Sequence, residues 1–125
     1  MPFFLRGDEW QGKLHLPRDD HAQFGVNNRG VAYQLKGENA KALSDYSEGL
    51  RLNPKDFRAH YNRGNYYSSI GNAEGAISDF SDAVALEPQF ALGYFARGLA
   101  HERQGNRSLA TEDFQQAKRL GYPEK

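Results

Sequence analysis

The sequence predicts an all-α fold of three antiparallel helix pairs stacked side by side, and three observations carry that reading. The first is a period of 34 residues: Arg29, Arg63 and Arg97 share it, as do Gly30, Gly64 and Gly98, then Gly37, Gly71 and Gly105, then Ala42, Ala76 and Ala110, then Asp45, Asp79 and Asp113. Tyr46, Phe80 and Phe114 hold one aromatic position at that spacing, and Leu52, Leu86 and Leu120 one aliphatic position. The second is punctuation, since glycines and prolines divide each period into two stretches. The third is the length of those stretches, about 14 residues each, which is ordinary for a helix. A fixed period of this kind marks a repeat architecture, in which no unit buries its apolar face alone and neighbours share a core.

Residues 1–22 lie outside the period. They hold Phe3, Phe4, Leu5, Trp10, Leu14 and Leu16, punctuated by Gly7, Gly12 and Pro17, and Leu14-His15-Leu16 alternates as a short strand would. Segments that stay unfolded are poor in aromatics. This one is therefore expected to pack along the helical array or its first helix, with an unattached tail as the alternative. Asp19 and Asp20 suit the cap of a first helix over 22–36, which Gly37 ends by taking the left-handed conformation. A second helix runs over 39–52 and stops at Asn53-Pro54, because the residue before proline is pushed out of the helical region. The unit recurs at 57–70 closed by Gly71, 73–87 closed by Pro88, 90–104 closed by Gly105, and 107–120 closed by Gly121. The organisation is thus a non-repeat segment, 1–22, and a three-repeat domain, 23–125, with repeats over about 23–56, 57–90 and 91–125.

Gly30, Gly64 and Gly98 fall in mid-helix, where glycine costs about 1 kcal/mol relative to alanine. Three such costs at one repeat position imply a packing reason. The expected partner is the aromatic of the second helix, Tyr46, Phe80 or Phe114. Arg29, Arg63 and Arg97 stand in first helices and Asp45, Asp79 and Asp113 in second helices. The planar fork of arginine suits a bidentate carboxylate, so a structural ladder between helices is expected rather than a ligand site.

The pattern Val26-x-x-Arg29-Gly30-x-x-Tyr33, Ala42-x-x-x-Tyr46, Pro54 resembles the tetratricopeptide repeat (TPR). Repeat two reads His60-x-x-Arg63-Gly64-x-x-Tyr67, Ala76-x-x-x-Phe80, Pro88. Repeat three keeps Tyr94, Arg97, Gly98, Ala110 and Phe114, with His101 for the tyrosine and Pro123 one position late. The usual tryptophan is missing, and arginine replaces the usual leucine before the first glycine. The resemblance implies a right-handed α-solenoid whose concave side is lined by the first helix of each repeat. It places the groove at Phe24, Asn27, Asn28 and Val31 in repeat one, and at Arg58, Tyr61, Asn62, Asn65 and Ser69 in repeat two. In repeat three the positions are Leu92, Phe95, Ala96, Leu99 and Arg103. The implied function is a protein–protein interaction scaffold or adaptor that binds a peptide segment of a partner protein, extended or helical. The alternative is self-assembly, with the repeat domain and residues 1–22 bridging copies.

Within that groove asparagine offers both donor and acceptor to a peptide backbone, and Tyr61 is the expected central anchor, flanked by Phe24 and Phe95. Chaperone adaptors of the family hold a C-terminal carboxylate with Lys, Asn, Asn, Lys and Arg. The matching positions here are Asn27, Val31, Asn62, Leu92 and Ala96, of which only Asn62 agrees, so capture of an acidic chaperone tail is not expected. An asparagine ladder begins at Asn28 and Asn62 but breaks at Ala96.

Composition removes several other functions. Sixteen basic and sixteen acidic residues cancel, so nothing draws the chain broadly to nucleic acid or anionic lipid. Cysteine is absent, which excludes disulfides, thiolate metal sites and a cysteine nucleophile. No apolar run is long enough to span a bilayer. Phe3-Phe4-Leu5 is too short for a secretory signal, so a cytoplasmic setting is expected. Of the histidines, His15, His21, His60 and His101, the two within the repeats, His60 and His101, occupy different repeat positions and lack an i, i+4 His or Cys partner for a metal, and no phosphate-loop motif occurs. No enzyme, cofactor or metal is expected. Leu43, Leu50, Ile77 and Val84 face a following repeat in repeats one and two, whereas Thr111 and Lys118 stand there in repeat three, and Gln104 takes the place of Lys36 and Ile70. A terminal repeat needs such a polar face, so the array is expected to end with repeat three and to act as a monomer.

Overall fold

Side-chain caps start three of the helices, and positive-φ glycines close the turns within the pairs. A computed structural model describes residues 22–122, apart from the side chains of Gln23 and Phe24. Six helices follow in order: α1 (Ala22–Leu35), α2 (Asn39–Leu52), α3 (Phe57–Ser69), α4 (Ala73–Leu86), α5 (Ala91–Arg103) and α6 (Arg107–Arg119). The expected caps Asp19 and Asp20, and the expectations for residues 1–21, lie outside the described residues. Asp56 caps α3 by accepting the Arg58 N–H, Asn72 caps α4 through Gly75 N–H, and Asn106 caps α6 through Leu109 N–H. Gly71 shows how the turn inside a pair is made. It takes φ +84°, and the next residue, Asn72, returns its N–H to the Tyr67 carbonyl at 2.8 Å, the wider bond of a Schellman closure. Gly37 and Gly105 repeat the geometry.

Packing then joins the pairs. Ala42, Tyr46 and Tyr66 form one buried cluster, with Tyr33, Leu43 and Tyr67 against it. Ala76, Phe80, Ala96 and Ala100 form the next, with Tyr61, Tyr67 and Ile77 against it. Both clusters draw on a helix pair and on the first helix of the following pair, so the core is shared along the array as repeat physics requires. Leu50 and Val84 are buried at those junctions. Lys118, at the same position of the third pair, is exposed, and so is Thr111 at the position of Leu43 and Ile77.

The mid-helix glycines have the packing reason that their cost implied. A Cβ on Gly30 would lie 2.8 Å from the Tyr46 ring, on Gly64 2.6 Å from Phe80, and on Gly98 2.7 Å from Phe114. The helices meet through these rings with no room for a methyl group. Gly64→Ala is therefore expected to destabilise by about 1–3 kcal/mol, although alanine favours an unconstrained helix by about 1 kcal/mol. A shift of the urea midpoint to lower concentration checks it, and a shift upward contradicts it.

The stack curves in a definite sense. Helix α1 touches α3, and α3 touches α5, whereas α2 and α4, or α4 and α6, do not meet. Crowding of the first helices puts them on the inside of the arc. Two contacts bridge them there: Gln34 Nε2 donates to Ser69 Oγ at 3.5 Å, and Arg103 Nη1 to the Ser68 carbonyl at 3.0 Å. No described helix is long and apolar enough to cross a membrane.

Candidate functional site

The periodic charges form a ladder between helices in which the aspartates are buried and the arginines are covered to different extents. Arg63 donates Nε to Asp79 Oδ2 at 2.7 Å and Nη2 to Oδ1 at 2.9 Å. Arg29 holds Asp45 and Arg97 holds Asp113 in the same fork. Each of the later arginines also reaches back to the preceding repeat: Arg63 Nη1 to Ser47 Oγ at 3.5 Å, and Arg97 Nη1 to Ser81 Oγ at 3.1 Å. That coverage leaves the Arg63 and Arg97 side chains 24% and 22% exposed, against 61% for Arg29.

His60 joins this ladder. Its Nδ1 lies 3.4 Å from Asp79 Oδ1 and 3.8 Å from Asp82 Oδ2, and its Nε2 lies 3.2 Å from the Pro54 carbonyl. Acceptors on both sides favour the doubly protonated ring. The hydrogen bond to Asp79 raises the His60 pKa above 6.5, against the opposing effect of burial. For Asp79, burial pushes the carboxyl up, but the bonds from His60 and Arg63 outweigh it and hold the pKa below 3.8. A raised histidine stabilises the fold fully below its unfolded pKa and loses that contribution as pH climbs through the folded value. The depressed Asp79 contributes above about 3.8 and fails only in stronger acid. Wild type is thus expected to lose stability from about pH 6.5 upward relative to His60→Gln. Urea melts of both proteins across that range check it, and parallel curves contradict it. His60, Asp79 and Asp82 also bring their ligand atoms within 4.8 Å of one another, but Arg63 already donates to both Asp79 oxygens, and its charge opposes a cation there.

The concave face carries two depressions that share one lining residue. One, of about 330 Å³, is lined by Asn27, Asn28, Asp56, Arg58 and Asn62. The second, of about 180 Å³, is lined by Val31, Gln34, Leu35, Tyr46, Asn62 and Asn65. Asn62 belongs to both, so the inner surfaces of α1 and α3 form one strip of amides and aliphatics. The Tyr46 hydroxyl donates to Gln34 Oε1 at 2.6 Å, and burial, ahead of the Asp45 charge, pushes its pKa up to about 12. It is a neutral donor at any working pH. A third depression, about 360 Å³ on Gln115, Lys118 and Arg119, belongs to α6 alone and lies away from the inner helices.

The expected groove residues divide between this strip and the core. Asn28, Val31, Arg58, Asn62 and Asn65 line the depressions. Leu99 is exposed and Leu92 half-buried on α5. Tyr61 and Phe95 are placed differently: Tyr61 packs on Phe80 at 5.7 Å and edge-on to Phe90 at 5.1 Å, and Phe95 on Phe114 at 5.5 Å and Tyr122 at 5.0 Å. Tyr61, expected as the central anchor, thus packs against the second core cluster, and truncating it to alanine would remove a ring from that cluster. Asn27, one period before Tyr61, borders the first depression but is itself buried and packed against Gly49. The side chain of Phe24 lies outside the described residues. Asp56, Gln34 and Leu35 were missed by sequence reasoning. Asp56 could have been found from its place as the cap before Phe57, and Leu35 from its place one turn beyond Val31 on the same helix face.

A family model described as TPR repeat matches residues 30–71 and again 64–105, which together span more than half of the chain. The chain belongs to the tetratricopeptide repeat family. Solved TPR structures agree with it in fold. The first TPR domain of Spaghetti (RPAP3) has a TM-score of 0.80 at 24% identity, over 86% of this chain and 84% of that one. The second TPR domain of the same protein has a TM-score of 0.77 at 23% identity, over 81% of this chain and 94% of that one. The TPR domain of Sgt2 from Aspergillus fumigatus has a TM-score of 0.76 at 23% identity, over 79% of this chain and 66% of that one. The three helix pairs are thus a right-handed TPR solenoid. No curated protein sequence matches the chain.

Proposed function

We propose that this TPR chain is a protein-interaction module that takes a peptide segment of a partner along its concave face. The observation that carries the reading is the pair of depressions joined at Asn62, with exposed aliphatic side chains of Val31, Leu35 and Leu99 beside donors and acceptors from Asn28, Asn62 and Asn65. Amides that both donate and accept suit a peptide backbone, and the aliphatics suit apolar side chains at its anchor positions. Both RPAP3 domains were solved with the HSP90 peptide SRMEEVD. That supports peptide binding in this fold, but the residues that would hold such a carboxylate-rich peptide differ here. Asn27, Val31, Asn62, Leu92 and Ala96 include no cation, so affinity rests on apolar and amide contacts and weakens little with salt.

Dodecapeptides selected on the full chain from a random phage-displayed library supply the probe. Leu99→Glu and Val31→Glu are expected to weaken the selected peptide at least about tenfold, since central apolar anchors dominate such interfaces. Leu86→Glu, equally exposed but on an outer helix, is expected to leave affinity unchanged. Equal losses for Leu86→Glu and Leu99→Glu, or none for either inner variant, contradict the reading.

A further inference from the structure

We propose that the edge of α1 equivalent to the one that α3 and α5 bury against a preceding pair is closed by this chain's own residues 1–21, with Leu16 as the anchor seated over Gly25.

The two later junctions show what covers such an edge. Val84 is buried, and a Cβ on Gly93 would lie 2.9 Å from Val84 Cγ1. The aliphatic of one second helix thus sits directly over the glycine of the next first helix. One period earlier, Leu50 and Ala59 are both buried. One period earlier again, Gly25 is exposed, and a Cβ there would meet nothing within 4 Å among the described residues. Ala32 is exposed as well, whereas Tyr66 and Ala100, one and two periods on, are buried. Arg29 shares this lack of cover, being far more exposed than Arg63 and Arg97. A face that two first helices use for packing is therefore open on the first of the three.

The period names the occupant. Leu16, Leu50 and Val84 are spaced by 34, and Leu16 precedes Gly25 by nine residues, as Leu50 precedes Ala59 and Val84 precedes Gly93. The chain thus brings an aliphatic side chain to the open edge in the register it uses twice more along the array. Positions that would face a first helix of their own are not apolar in this segment: Asp8 stands for Ala42 and Ala76, and Gly12 for Tyr46 and Phe80. Leu16 is kept where α1 offers a partner. Glu9 stands for Leu43 and Ile77, which confines the match to the end of the segment nearest α1. Lys13 stands for Ser47 and Ser81, so Arg29 gains no counterpart of the hydroxyl acceptors that Arg63 and Arg97 find there. A second copy stacked on this edge in the same register would bring Lys118, one period after Val84, to Gly25. The chain's own segment brings Leu16 instead, at the high effective concentration of a short tether. Removing that leucine from water against the end of the array is the driving force.

Nuclear Overhauser contacts in the full chain, with leucine methyls isotopically labelled, test the cap. Contacts from the Leu16 methyls to the Gly25 α-protons are expected. None are expected from the Leu14 methyls, because position 14 corresponds to Glu48 and Asp82, whose side chains reach solvent. Leu16→Asp is expected to speed amide exchange over residues 26–29 about tenfold by loosening the start of α1. Leu14→Asp is expected to leave that exchange unchanged, and both variants should keep the wild-type amide shifts of α3 to α6. Absence of Leu16–Gly25 contacts, or equal exchange in the two variants, would overturn the proposal in favour of an unattached segment. Contacts from Leu16 to Val31 and Leu99 would place the segment in the concave groove and overturn it too. Contacts seen only between differently labelled copies, in an isotope-filtered mixture, would assign the edge to a second copy and likewise overturn it.

Discussion

Phe80→Ala is expected to lower stability by about 4 kcal/mol, within the range for truncating a fully buried aromatic. The Phe80 side chain is 1% exposed and sits among Ala76, Ala96 and Ala100. Its ring also fills the space that Gly64 leaves open, and it packs at a tilt against Tyr61. One truncation therefore opens a cavity inside the central pair and loosens the junction to α5. The alanines lining the site are too short to collapse into it. Phe114 occupies the same repeat position but is only half-buried, so Phe114→Ala should cost clearly less. Urea denaturation of the three proteins orders the losses, and equal midpoints for Phe80→Ala and Phe114→Ala contradict the shared-core account.

Arg63→Ala is expected to cost about 3 kcal/mol, the lower end of the range for removing one partner of a buried pair. The Asp79 side chain, 3% exposed, would keep its charge with only His60 beside it. The hydrogen bonds and charge of that same carboxylate raise the Arg63 pKa against burial, so the guanidinium stays charged throughout. Arg29→Ala removes an identical fork, but Arg29 stands mostly in water and has no preceding serine partner among the described residues. Its loss should be much smaller. Equal losses at Arg29 and Arg63 would show that burial of the ladder contributes nothing.

Much of the architecture was legible because many weak signals share one period. The helix expected over 22–36 is found at Ala22–Leu35, and the one expected over 90–104 at Ala91–Arg103. Glycines, prolines and capping residues recur at each boundary, so an error in one repeat is corrected by the others. The ladder was legible for the same reason, and so was the close approach at Gly64. The site was less so. A half-buried aromatic on an inner helix can face a ligand or its partner helix, and the residue type does not distinguish them. Tyr61 faces Phe80 and Phe90. Reading positions 27, 61 and 95 as one register would have placed Asn27 in the same inter-helix slot. The different exposures of Arg29 and Arg63 depend on Ser47 and on the coverage by the preceding repeat, neither of which a charge pattern records.

The claim that the inner helices form the binding face is tested most directly by mapping the library-selected peptide on the full chain by backbone amide chemical shifts. The account predicts the largest shifts in α1, α3 and α5, centred on Asn62 and reaching Val31 and Leu99, with α2, α4 and α6 little changed. Shifts concentrated on the outer helices, or on the Gln115, Lys118 and Arg119 patch of α6, would contradict it.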